Sequence, residues 1–289
     1  MQPTGILYPS APPKIYLQVF RVVNYHPVGM GPPALSLQRL GLFVVSKRFK
    51  GLVCAYCPCP SVTGDHVFAK EFFLKTHRAD LPQVPVCDQC NRAKSQLEHY
   101  LTTVLPFFGR HEDALPNLSD MVPPRLAKNA KLHRTLSRKA SKVWTETTSG
   151  LQVRSTTLPF EPERLISLFT YIVRGLLLYH WNVKLTDQAF VEVVLLDETR
   201  RGNIFAQILQ HNANARVSNN LGNGTFTYDG AQGIDNYIIS VWRFSIYGNL
   251  QIGALTGPKR VAERTELYAK MGCWESPSPS IDLSTGFWL

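Results

Sequence analysis

Apolar residues recur along this chain in different rhythms, and each rhythm predicts an element. From Glu163 the string ERLISLFTYIVRGLLLYHW repeats apolar side chains at helical intervals for several turns. Glu161, Pro162 and Glu163 suit its start, because acidic side chains favour the positive end of the helix dipole and Pro lacks only a donor that the first turn leaves unused. A buried helix is predicted there. FVEVVLL (Phe190–Leu196), TFTYDG (Thr225–Gly230) and YIISVWRFSIYGNLQIGAL (Tyr237–Leu255) predict strands parted by Asn- and Gly-rich turns, with NIFAQILQ (Asn203–Gln210) as a helix. Nearer the N-terminus, LGLFVV from Leu40 and GLVC from Gly51 predict short strands. Before residue 35, Pro3, Pro9, Pro12, Pro13, Pro27, Pro32 and Pro33 remove backbone donors and leave room for one short strand in Ile15–Val23.

Charge adds a partner class. Thirty-one Lys and Arg against 21 Asp and Glu give +10 over 289 residues, a balance that favours polyanions such as nucleic acid. Between Met121 and Thr145 there is no acidic residue, while Arg125, Lys128, Lys131, Arg134, Arg138 and Lys142 recur every three or four positions. On one helix these would form a basic stripe for phosphates, with Leu126, His133, Leu136 and Val143 turned inward. The same spacing suits a solvated linker helix. MQPTGILYPSAPPK lacks the pattern of a secretory signal, and Leu165–Trp181 is interrupted by Arg174 and Gly175, so a cytoplasmic protein without a membrane span is expected.

Candidate chemistry is concentrated in residues 54–99. Cys54-Ala-Tyr-Cys57 and Cys87-Asp-Gln-Cys90 are two pairs of soft ligands at the spacing with which each grips one side of a tetrahedral zinc ion, and Cys59 offers a further thiolate beside the first pair. Between the pairs stands Thr63-Gly64-Asp65-His66-Val67-Phe68, and the second pair runs into Asn91-Arg92-Ala93-Lys94-Ser95. Asp and Asn oxygens suit a hard ion such as Mg2+ or Mn2+, and a neutral His can take a proton from water near neutral pH. Read singly, Asp65 is a turn residue, His66 a surface histidine and Asn91 a helix cap.

The string C-x-x-C, then DHV, then C-x-x-C-N-x-x-K-S resembles the HNH endonucleases of the ββα-metal type, in their zinc-stapled variety. The stretch from Cys90 to Ser95 is also similar to the Asn-bearing helix of the HNH domain in RNA-guided CRISPR nucleases. The resemblance covers residues 50 to 100. It implies a hairpin presenting Asp65 and His66 and a short helix presenting Asn91. Asp65 and Asn91 would be ligands of a catalytic Mg2+ or Mn2+, His66 the general base, and Cys54, Cys57, Cys87 and Cys90 the ligands of a structural Zn2+. Arg92 and Lys94 are candidates for phosphate contact, or exposed. Glu98 and His99 are expected to support the helix, and His77 is a weaker candidate for substrate contact. One departure stands out: where the family often places an Asn that orients the histidine, this chain has Pro82, with Gln83 beside it.

The expected architecture is α+β: a Pro-rich arm (1–35), a zinc-stapled ββα-metal core (36–110), a basic linker or helix (111–150) and a second α+β region (151–289) that recognises substrate or controls access. The expected activity is metal-dependent hydrolysis of nucleic-acid phosphodiester bonds, with DNA preferred to RNA as partner. A zinc-bearing nucleic-acid-binding module that does not cut is the rival. A zinc-stabilised protein-interaction module, without salt-dependent binding to nucleic acid, is the third reading.

Overall fold

Thr63–His66 (β2) and Gln83–Val86 (β3) pair antiparallel, with Asp65 opposite Val84 and His66 opposite Gln83. They follow the short strand Tyr16–Val19 (β1) in a computed structural model that describes residues 16–19, 47–146, 152–196, 200–211, 216–233 and 236–259. The LGLFVV stretch, Cys273 and the arm other than β1 lie outside these residues. Of the expected strand at GLVC, Val53 forms only a bridge to Pro60, while Lys47–Phe49 makes a 3-10 turn. Gly64 lies under the Phe49 ring, where a Cβ would collide with the ring carbons. Val84 and Val86 alternate with Gln83 and Pro85, so β3 buries one face. The Pro85 carbonyl accepts from the Ala55 amide at 2.9 Å, which lays the first cysteine pair along the hairpin.

The helix Asp88–Val104 (α1) starts directly after β3. Cys87 is its N-cap, Asp88 complements its first turn, and Pro106 stands just beyond its end. Ala114–Pro116 (α2) is a single turn that continues through a π turn, Asn117–Met121.

The basic segment departs from its expectation. It forms two helices, Val122–Lys128 (α3) and Ala130–Lys139 (α4), followed by the strand Ser141–Glu146 (β4), so one helical stripe does not exist. Asn129 causes the break: it leaves helical geometry at φ −123°, ψ 72°, and its side chain caps α4 by accepting from the Leu132 amide at 3.0 Å. Leu132 and Leu136 turn inward, whereas His133, expected inward, is exposed. Gln152–Pro159 (β5) pairs with β4 on one side and β1 on the other, so the chain pairs across residue 150.

Pro162–Trp181 (α5) is the expected buried helix, closed by Asn182 in left-handed geometry at φ 53°. Gly175 lets it approach the hairpin: a Cβ there would stand 3.0 Å from Val67 Cγ2 and 3.3 Å from the Tyr56 hydroxyl. Beyond it lie Ala189–Leu195 (β6), Arg200–His211 (α6), Arg216–Leu221 (β7), Phe226–Gln232 (β8), Ser240–Ile246 (β9) and Leu250–Pro258 (β10). The five strands form one antiparallel sheet ordered β6-β10-β9-β8-β7. Strand β7, RVSNNL, is not announced by any apolar alternation; polar residues suit it because it is an edge strand of that sheet. Phe68, from beside the hairpin, packs on Phe226 and Tyr228 of β8, and Phe169 of α5 packs on Phe226 and Phe244. The 54–105 segment therefore shares one core with the C-terminal sheet. The mixed helix and sheet content agrees with the α+β expectation. Among the described residues, no helix is long and apolar enough to cross a membrane.

Candidate functional site

The four thiols of the two C-x-x-C pairs converge. The sulfurs of Cys54, Cys57, Cys87 and Cys90 all lie within 4.8 Å of one another, and those of Cys57 and Cys87 are 3.4 Å apart. Four sulfurs bound to one ion at about 2.3 Å stand about 3.8 Å apart in a tetrahedron, so the cluster fits a metal and its donor chemistry is consistent with zinc. The first sulfur of each pair accepts from a following backbone amide: the Tyr56 amide donates to Cys54 Sγ at 3.4 Å and the Cys90 amide to Cys87 Sγ at 3.5 Å. Burial pushes the Cys90 thiol up, helped by Cys57 and Cys87, so this thiol resists losing its proton until a cation offsets the charge. Cys59 is exposed and stands outside the group. Lys184 Nζ donates to the Cys57 carbonyl at 2.8 Å and ties the first pair to the segment after α5.

One turn into α1 beyond Cys90, the fully buried Lys94 reaches back to the hairpin. Its ammonium lies 2.9 Å from Asp65 Oδ2, 2.7 Å from the His66 carbonyl and 2.5 Å from Glu98 Oε1. The Tyr56 hydroxyl donates to the same Asp65 oxygen at 3.1 Å. Both contacts fall on Oδ2, which leaves Oδ1 for another partner. Burial raises Glu98 to about 7, with Asp65 adding to the rise and Lys94 opposing it. Asn91 precedes Lys94 by three residues and Glu98 by seven, so all three share the α1 face turned to the hairpin.

His66 is half-buried, and its Nε2 lies 3.2 Å from Gln83 Nε2, its cross-strand neighbour. The Gln83 amide N–H donates to the Nε2 lone pair and holds the ring. Among the described residues, the buried Nδ1 has no hydrogen-bond partner. Desolvation holds the imidazole below its usual 6.5; Lys70 and Lys94 add to this, while Asp65 and the Leu81 backbone pull the other way.

No family model, curated protein or solved structure matches this chain.

The remaining candidates separate. Arg92 is exposed and pairs with Asp88 at 2.7 Å one turn back. Lys94, a candidate for phosphate, cannot reach solvent, since its side chain is 0% exposed. Arg125 is a tie-rod: it donates to the Thr102 carbonyl at 2.6 Å, the Glu71 carbonyl at 2.7 Å and Asn117 Oδ1 at 3.3 Å. Lys128, Lys131, Arg134, Arg138 and Lys142 are exposed. His77 holds the buried Asp113 at 2.8 Å, and Thr225 donates to the same carboxylate oxygen at 2.6 Å, which is a structural use. His99 is exposed. Tyr56 escapes a reading of the sequence, because nothing in C-A-Y-C marks its hydroxyl as a partner of Asp65. The Lys94–Glu98 pair is legible as an i, i+4 spacing on a helix.

Proposed function

We propose that this chain is an HNH-type endonuclease with a zinc-stapled ββα-metal core, hydrolysing phosphodiester bonds of nucleic acid, DNA in preference to RNA. The observation that carries the reading is that Asp65 and His66, at the end of β2, stand against the α1 face that bears Asn91, while the cysteine group pins the start of that helix. Zn2+ on Cys54, Cys57, Cys87 and Cys90 would be closed and structural. Asp65, through Oδ1, and Asn91, through its amide oxygen, would hold Mg2+ or Mn2+. When bound, such an ion stabilises the charge that develops on the scissile phosphate and the leaving oxygen. His66, neutral above its lowered pKa, accepts the proton of the attacking water, with Gln83 fixing the ring in the role of the missing Asn. Arg92 and the exposed cations of α3, α4 and β4 would neutralise backbone phosphates, whereas Arg125 and Lys94 leave that set.

A second reading is favoured by one observation: Asp65 already has a buried ammonium and a phenol on one oxygen, which suits a nucleic-acid-binding module whose DH pair does not cut. Incubating plasmid and structured RNA with the protein in Mg2+, Mn2+ or chelator separates the two. The first reading predicts metal-dependent cutting that Asn91→Ala removes. Salt-dependent binding without cutting in any metal would establish the second.

A further inference from the structure

A fully buried ammonium needs a reason. Burying a lysine carries a desolvation cost that its partners must offset, and an ion pair of this kind is weak support for stability. Lys94 has no exposed surface; its ammonium donates to the His66 carbonyl and to Glu98 Oε1 and forms an ion pair with Asp65 Oδ2. Two of the three belong to adjacent residues at the end of β2, one held by its side chain and the other by its backbone. The pairing joins α1 to the hairpin at the place where a hard ion and a base would work. Tyr56, between Cys54 and Cys57, supplies a hydroxyl donor to Oδ2. Asp65 is therefore held by one group from each cysteine-bearing segment, a hydroxyl donor and an ammonium ion-pair partner.

We propose that Lys94 is a positioning residue of the site: resting on Glu98, it fixes the Asp65 carboxylate so that Oδ1 faces the metal, and fixes the His66 backbone so that the imidazole faces the same point. This rests on the endonuclease reading and assigns Lys94 a role other than phosphate contact. Without the clamp Asp65 is still present as a ligand but loses its preferred rotamer, so metal affinity falls without loss of a ligand. Glu98 is then the counter-charge of the clamp and not a ligand.

The test is Mn2+ binding by the zinc-loaded full chain, followed by electron paramagnetic resonance, with zinc content and melting measured on every sample. The variants are Asp65→Asn, Lys94→Met and Lys94→Met/Glu98→Gln, the last removing the buried counter-charge together with the ammonium. Expected is tight Mn2+ binding in the wild type, lost in Asp65→Asn. Lys94→Met should weaken it about 10- to 100-fold, the range for outer partners of metal ligands. The double variant should regain melting temperature relative to Lys94→Met but not Mn2+ affinity, a split that a purely structural lysine would not give. Wild-type Mn2+ affinity in a folded Lys94→Met or double variant overturns the positioning role and leaves the endonuclease reading standing. Mn2+ affinity that returns together with melting temperature in the double variant overturns it as well. No difference between wild type and Asp65→Asn overturns the metal role of Asp65, and this inference with it.

Discussion

At His66 the proposed chemistry turns on one proton. Burial lowers its pKa from the usual 6.5, so the ring is neutral at pH 7 and gains a proton only as pH falls through the lowered value. Cutting should therefore rise with pH below 6.5 and be level above it; a rate profile with its acid limb above pH 6.5 would assign the proton to another group. Asp65 has a second consequence at this scale. Asp65→Ala should remove hydrolysis with zinc retained, but it also takes one partner from the buried Lys94, at a cost of about 1–3 kcal/mol that denaturant unfolding would register. Asn91→Ala removes no hydrogen bond of this cluster, so it should abolish cutting with almost unchanged stability. Equal stability losses in the two variants would contradict the asymmetry of their surroundings. Order and spacing make Asp65, His66 and Asn91 legible in the sequence as candidates. The burial of Lys94 is not legible there, because a Lys within a polar helical stretch is normally at the surface and only the Asp65–Glu98 geometry makes its burial tolerable.

Helix α1 carries the link between metal and site. Cys87 caps it with a sulfur that is also in the four-thiol group, so an ion there would fix the helix start and, one turn on, Asn91 and Lys94. Purified protein should hold one zinc per chain by this four-ligand count. Cys87→Ser should lose it and lower the melting temperature by about 10 °C or more, at about 2–4 °C per kcal/mol for a domain of this size. A variant that keeps its melting temperature without zinc would refute a structural ion. The basic segment makes the contrasting case. Its periodicity announces helix as far as Lys139, whereas Lys142 and Val143 lie in β4, and Asn129 has two roles that periodicity does not distinguish, residue within a helix or cap of the next one. Arg125, inside the apparent stripe, is occupied by three backbone and side-chain oxygens. Arg125→Gln should cost about 2–3 kcal/mol of stability and leave the salt dependence of nucleic-acid binding alone. Replacing Lys131, Arg134 and Arg138 by Gln should flatten the slope of log affinity against log salt by about 0.7–0.9 for each phosphate that is no longer neutralised. The opposite assignment of effects would mean that α4 is a solvated face.

Across the molecule, one core joins the hairpin and α1 to the C-terminal sheet through α5, which the expected division into separate regions does not convey. Strong apolar runs make α5, β6, β8, β9 and β10 legible, whereas contacts such as Phe68 on Phe226 and Val67 on Gly175 link residues far apart in sequence and follow from packing alone. His180 closes this core at the end of α5, 2.9 Å from the Tyr228 hydroxyl, and burial lowers its pKa from 6.5. Because the folded value lies below the unfolded one, its contribution to stability is complete above pH 6.5 and is lost as pH falls toward the lowered value. His180→Gln should flatten that part of the stability profile, and an unchanged profile would place the acid sensitivity elsewhere. The central claim, that this joined core cuts nucleic acid by a metal-assisted mechanism with His66 as base, meets its most direct test in one comparison. Plasmid is incubated in Mn2+ with zinc-loaded wild type and with zinc-loaded His66→Ala, and the single-turnover rates are measured. Cutting by the wild type and a loss of about 100-fold or more in the variant, the usual contribution of a positioned general base, is the predicted result; equal rates in the two proteins, or binding without cutting in both, would contradict it.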